Sequence, residues 1–347
     1  MNTGKKLPAI LSRKNIIISA LAIFLLVLPF MTNNNFIIST FVYCFIFAAL
    51  GVAWNLIGGY GAQISWCHSA FVAIGSYTGF ILYLNTGISP FAAVPVAMVI
   101  SFVVSTVIGY GTFRLKGVFF SLATIAFAEI VRIVILYFKN LTGGAAGLYV
   151  RYIGNNFWSL SFQHDRPFYY IMFAIMALVL LFTSRFEKSK IGHYLGAIKG
   201  DEDAATSLGI KTINVKLIAF QISAMIASAV GVFYAFFLIY IDPYKICSMD
   251  FSVKIGIVAI IGGLGTLWGP VLGAFLLTPL IQIADSLPFM AKYGGASQML
   301  YGLVLILIVI FKPQGLITLF QKTPDQKTKM ETSALSGEET VKEAGTT

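Results

Sequence analysis

The sequence predicts an all-α polytopic membrane protein, and three observations carry that prediction. Of its 347 residues, 58% are hydrophobic and only 11% charged, where soluble globular domains carry roughly 25% charged residues. The apolar residues are gathered into runs, and a helix needs about 17–25 of them to cross a hydrocarbon core. Lys and Arg, finally, flank these runs unevenly, as topology signals do.

The runs place spans at 16–31, 36–57, 69–84, 91–113, 117–138, 168–184, 215–240, 252–267, 269–285 and 297–312, about ten transmembrane helices. With the N-terminus in the cytoplasm, alternate crossings put 17 Lys and Arg on the inner side and five outside, Arg132 and Lys254 lying within spans. That asymmetry sets both termini in the cytoplasm. Lys5, Lys6, Arg13 and Lys14 before Ile16 imitate a signal peptide. The following Met31-Thr32-Asn33-Asn34-Asn35 offers no small-residue cleavage site, so the first span is expected to stay. The runs 252–267 and 269–285 are short and flank Gly262-Gly263-Leu264-Gly265-Thr266-Leu267-Trp268-Gly269-Pro270. Two tilted crossings or one re-entrant pair fit equally, since non-helical backbone at membrane depth must be buried in protein or line a wet cavity. Gly58-Gly59-Tyr60-Gly61 after the second span is a faint internal echo. From about Gln321 the chain is polar, and residues 321–347 read as a disordered tail.

Several function classes drop out. The net charge of +10 is spread around the spans and lines no basic groove, so no nucleic-acid partner is expected. Cys44, Cys67 and Cys247, like His68, His164 and His193, show no ligand or redox spacing. There is no phosphate-cradling G-x-x-x-x-G-K-[ST], no G-x-S-x-G elbow and no H-E-x-x-H, so catalysis within this chain is not expected.

The polar island Arg185 to Lys216 stands out between two apolar runs. Asp201 can cap a helix, with Glu202 and Asp203 in a first turn favoured by the helix dipole. Ala204 to Leu208 can carry it for about two turns, and Gly209 suits the left-handed position that ends it. So short a surface helix is marginal alone and is expected to dock on a partner. Glu129 and Arg132 are opposite charges three residues apart in one span. They read either as a self-neutralising pair or as a functional site, since ionisable groups at membrane depth cost several kcal/mol unless paired or wet. The polar segment Gly61 to Phe71, with Gln63, Ser65 and His68, fits both close helix packing and a translocation path. Lys254 fits a snorkelling side chain.

Together these segments resemble one family. Gly61-Ala62-Gln63-Ile64-Ser65, His68-Ser69-Ala70-Phe71 and Gly75-Ser76-Tyr77 resemble its G-Q-x-S-x-G-H-x-x-F-x-x-x-G-A-Y block, with Cys67 in place of the usual Gly and Ala62 inserted. Leu115 to Phe120, Thr124 to Arg132, Leu141 to Gly144, Asp201 to Ala205 with Leu208-Gly209-Ile210, Ile260 to Ala274 and Phe311 to Leu316 follow in the family's order. The chain is thus similar to LivM-type membrane permeases of ATP-driven branched-chain amino-acid importers. That resemblance implies a vitamin-B12-permease-like ABC importer fold in a bacterial inner membrane. Residues 1–320 would form the transmembrane permease domain, with 185–216 as its cytoplasmic coupling loop. The implied partners are two ABC ATPase subunits, a second, LivH-type permease, a periplasmic substrate-binding protein and membrane lipid. ATP-Mg would be bound by the ATPases, so no cofactor is expected in this chain. The resemblance makes Asp201, Glu202, Asp203, Ala204, Ala205, Leu208 and Gly209 the ATPase-coupling helix. From the polar segment, the buried charge pair and the glycine-rich breaks, Gln63, Ser65, His68, Glu129, Arg132, Gly262, Gly263 and Gly265 are the candidates for the substrate path. The implied cargo is Leu, Ile or Val. Permeases for urea or short-chain amides look closely alike, and an ion-coupled secondary transporter would find only Glu129 as an intramembrane carboxylate.

Overall fold

A computed structural model of the chain describes residues 13–115, 117–152, 154–287, scattered positions between 295 and 310, and 315–319, with side chains from residue 22 onward. Most of the expected tenth span, 297–312, and all of the tail 321–347 lie outside the described residues.

The helices are α1 (Arg13–Met31), α2 (Asn35–Asn55), α3 (His68–Thr86), α4 (Pro90–Thr112), α5 (Val118–Tyr137), α6 (Lys139–Thr142), α7 (Arg166–Glu187), α8 (Lys190–Gly200), α9 (Glu202–Ser207), α10 (Thr212–Leu238), α11 (Pro243–Ile246), α12 (Met249–Gly262) and α13 (Gly269–Ser286). A π-helical turn, Leu56–Tyr60, extends α2. Local chemistry fixes many boundaries. Asn34 caps α2 through the Phe36 amide, and proline occupies the first turn of α4, α7 and α13, where its missing N–H costs nothing. Two short strands, β1 (Leu148–Tyr149) and β2 (Tyr240–Ile241), pair antiparallel.

Connecting segments gather at two ends of the bundle. At one end Arg166 bonds Asn33, Ser89 Oγ donates to the Trp158 carbonyl, and β1 meets β2. At the other, the backbone of Gly265 comes against that of Gly59, beside Lys199, and Gly263 lies against Ile317. The segments expected on opposite faces of a membrane are therefore segregated. The core runs along α2 and α10: in Asn35–Tyr60 and Thr212–Leu238, 67% of the central apolar stretch is buried, against 28% in the α4 and α5 spans. Large apolar side chains on the outer faces of α4 and α5, among them Val107 and Phe119, suit contact with lipid or another subunit.

Among the described residues, six segments are long and apolar enough to cross a membrane: Asn35–Tyr60, Pro90–Thr112, Val118–Tyr137, Arg166–Glu187, Thr212–Leu238 and Gly269–Ser286. At 252–267, where the sequence leaves two tilted crossings or one re-entrant pair open, the helix is short. α12 has 14 residues, a rise of about 21 Å against a hydrocarbon core of about 30 Å. Its depth is fixed by hydrogen bonds. Ser252 Oγ accepts from the Ser69 amide at 2.9 Å, while neighbouring His68 bonds Ser223, near the midpoint of α10. α12 and α3 both begin halfway through the bundle. α12 descends toward Asn55 and Lys199, α3 toward the opposite end.

Candidate functional site

Three constellations hold the residues singled out from sequence. The first is α9. Asp201 Oδ1 accepts from the amides of Asp203 (2.9 Å) and Ala204 (3.0 Å). The far end closes with a pair of bonds, Ile210 N–H to the Ala205 carbonyl and Gly209 N–H to that of Thr206. That closure requires a left-handed residue, and Gly209 has φ +87. Ala205 is buried, while Leu208 is 83% exposed, an isolated apolar side chain held out on a rigid knob. Glu202 faces inward, its Oε1 2.6 Å from Lys216 Nζ in the first turns of α10. The Lys216 side chain is only 4% exposed, so its charge is neutralised by this carboxylate alone among the described residues.

The second constellation is the non-helical stretch 61–67, which carries the chain from the end of α2 to mid-bundle. Its backbone groups are served from two helices, α2 and α5. Ser121 Oγ donates to the Ile64 carbonyl, Trp54 Nε1 to the Ser65 carbonyl, and the Trp66 amide to Thr124 Oγ1. This satisfies non-helical backbone at depth, where each orphaned polar group costs several kcal/mol. Ser65 and His68 are fully buried. Because Ser223 Oγ gives its proton to the Ala53 carbonyl, His68 Nε2 donates to Ser223 (2.7 Å), knotting α3, α10 and α2 together. Gln63 is half-buried, with Ala62 and Ile64 exposed beside it.

The third is the pair Glu129–Arg132 on α5. The two form a salt bridge, with side chains 47% and 29% exposed respectively. Arg132 also lies over the Tyr244 ring, 5.5 Å from its centroid. Cys247, buried at the end of α11, lies nearby. Beyond Tyr244 lies a cavity of about 590 Å³ between the end of α10, the 239–248 turn and the first turns of α12.

Gly262, Gly263 and Gly265 sit away from this cavity, Gly262 ending α12 and the other two in the tight turn before α13. There Asn55, 1% exposed at the end of α2, donates its amide to the Thr266 carbonyl and accepts from the Gly265 amide, each at 2.9 Å. A side chain on Gly59 would collide with Asn55 Oδ1 and the Gly265 amide. The two glycine-rich breaks are thus pressed together. Sequence reasoning missed Asn55, whose signal was a lone carboxamide inside an apolar run. It missed the Lys216–Glu202 pair too, having treated Lys216 as a loop charge.

Residues 36–309 match the family described as branched-chain amino acid transport system / permease component. The chain is 27% identical to the high-affinity branched-chain amino acid transport system permease protein LivM of Escherichia coli K12, over 94% of this chain and 79% of that protein. It is 24% identical to a probable LivM permease of Methanocaldococcus jannaschii, over 65% of this chain and 67% of that one. Against Escherichia coli LivH it is 24% identical, over 78% and 91%. No solved structure matches the chain.

Proposed function

Because the chain belongs to the branched-chain amino acid transport permease family, we propose that it is the membrane-crossing subunit of an ATP-driven importer for leucine, isoleucine and valine. In this reading it lies in the inner membrane with about ten crossings in a vitamin-B12-permease-like arrangement, both termini in the cytoplasm. It pairs with a LivH-type permease over two ATPases, and a periplasmic binding protein delivers the amino acid to the 139–167 and 241–251 end. ATP-Mg is held by the ATPases, and this chain supplies the path and the lever.

The observation that carries the reading is α9. A six-residue helix is marginal alone, yet this one is capped at both ends and tied to α10 through Glu202–Lys216. It presents Leu208 outward. ATPase closure pushes on that knob, and the ion pair hands the displacement to α10, which packs along α3 and α4. ATP biases one conformation only through contacts that differ between states. Glu129 and Arg132 stand where cargo leaves the outer end, a charged pair on a half-exposed face that needs a wet or polar neighbour.

The test is uptake by the reconstituted assembly. Labelled leucine should accumulate only with ATP and the binding protein present, and urea should neither enter nor compete. Replacing Asp203 and Leu208 together (Asp203→Ala with Leu208→Ala) should abolish ATP-dependent uptake while the permease remains folded. Uptake on an ion gradient without ATPases would overturn the proposal.

A further inference from the structure

The cavity of about 590 Å³ beside Tyr244 is large enough for a small molecule, and its walls are chemically divided. Tyr234 and Phe251 stack with ring centroids 5.6 Å apart, and Leu238 and Ile246 complete an apolar side. Lys254 reaches the cavity from the second turn of α12. It lies two residues beyond Ser252 on a helix that starts halfway through the bundle, so its ammonium rises from mid-depth. No carboxylate among the described residues forms an ion pair with it. A lone ammonium at such depth calls for an anion or for water. Asp250, one helical turn earlier and toward the outer end, is exposed and also lines the cavity. Asp242 lines it too, its Oδ1 already accepting from the Tyr244 amide.

We propose that this cavity is a substrate waystation within the single permease chain, selective for small aliphatic zwitterions. Lys254 takes the carboxylate at the floor, Asp250 takes the ammonium nearer the rim, and the Tyr234–Phe251 wall takes the hydrocarbon side chain. One α-amino acid supplies all three parts. The opposite charges sit one turn apart on the same helix face, about 6 Å, so a single small ligand can reach both. Tyr244 links the cavity to Arg132, and through it to Glu129, placing the α5 pair beside the passage. The inference deepens the importer reading and rests on it.

The test has two readouts on the full assembly. In proteoliposomes, Lys254→Met and Asp250→Asn should each lower leucine uptake at least 10-fold, and Lys254→Arg should restore most of it. On the detergent-solubilised assembly without its binding protein, labelled L-leucine should bind and lose at least 10-fold in affinity in Lys254→Met. Leucinamide, which lacks the carboxylate, should bind Lys254→Met and the unmodified protein alike. If the unmodified assembly imports leucine and both variants import and bind it unchanged, the waystation is overturned and the importer reading stands. If the unmodified assembly imports no leucine, the importer reading falls and takes the ligand class assigned here with it. Parallel loss of leucine and leucinamide binding in Lys254→Met would also overturn the assignment, because it would make Lys254 a structural support.

Discussion

Two of the molecule's carboxylate–cation pairs differ in almost everything but chemistry. Glu202–Lys216 joins two helices, with the lysine 4% exposed. Glu129–Arg132 stays on one helix, i to i+3, with the glutamate 47% exposed. A pair that ties elements together while one charge is sealed acts as a strut, because removing either partner strands the other in a low dielectric. A pair that remains half-open on a span adds little to stability and is better suited to meeting something that passes. The lesson is that burial and connectivity separate the two roles where charge alone cannot.

The largest effect is expected at the strut. Glu202→Gln should lower stability by about 3 kcal/mol, the lower end of the range for a broken buried pair because Glu202 is itself 28% exposed. It should also abolish ATP-driven uptake. Thermal unfolding in detergent measures the first, and transport in proteoliposomes the second. Adding Lys216→Met should recover most of the stability without recovering transport. Recovery of both would reduce the pair to a fold determinant and erase the contrast. Next comes Glu129→Gln, for which uptake should fall about 10-fold, roughly 1.4 kcal/mol, with the amount of folded protein unchanged. Equal losses of protein and transport would make the α5 pair a second strut. The smallest effect is expected at the cap. Asp201→Ala removes an acceptor for two amides and should cost about 1 kcal/mol, seen as weaker ATPase association in pull-down titrations before any change in the permease itself.

Sequence reading succeeded where the determinants are local. The Asp201 cap, the acidic first turn and the Gly209 stop predict α9 to within a residue or two of Glu202–Ser207. Capping depends on groups two to five positions apart. α8 was not legible. Gly192, Gly196 and Gly200 each weaken a helix by about 1 kcal/mol relative to alanine, yet burial of Leu195 and Ile198 holds Lys190–Gly200 helical. Nor was the half-length of α12 legible, because hydropathy reports apolar length without depth. Depth here is set by Ser252 bonding Ser69, a contact 183 residues apart. The candidate path residues separate for the same reason. Glu129 and Arg132 lie beside a cavity, Ser65 and His68 are sealed in helix packing, and Gly262, Gly263 and Gly265 form a turn at the other end.

The Asn55 clamp has a mechanical consequence. With its carboxamide engaged on both sides by the 265–266 backbone, the tail of α2 and the α12–α13 hairpin form a single bearing. We expect the pivot of any rocking motion to lie away from the glycine-rich turns, at the seam where the largely exposed α5 meets α3. A covalent staple across the bearing should ride through every cycle of transport, whereas one across the seam should stall it.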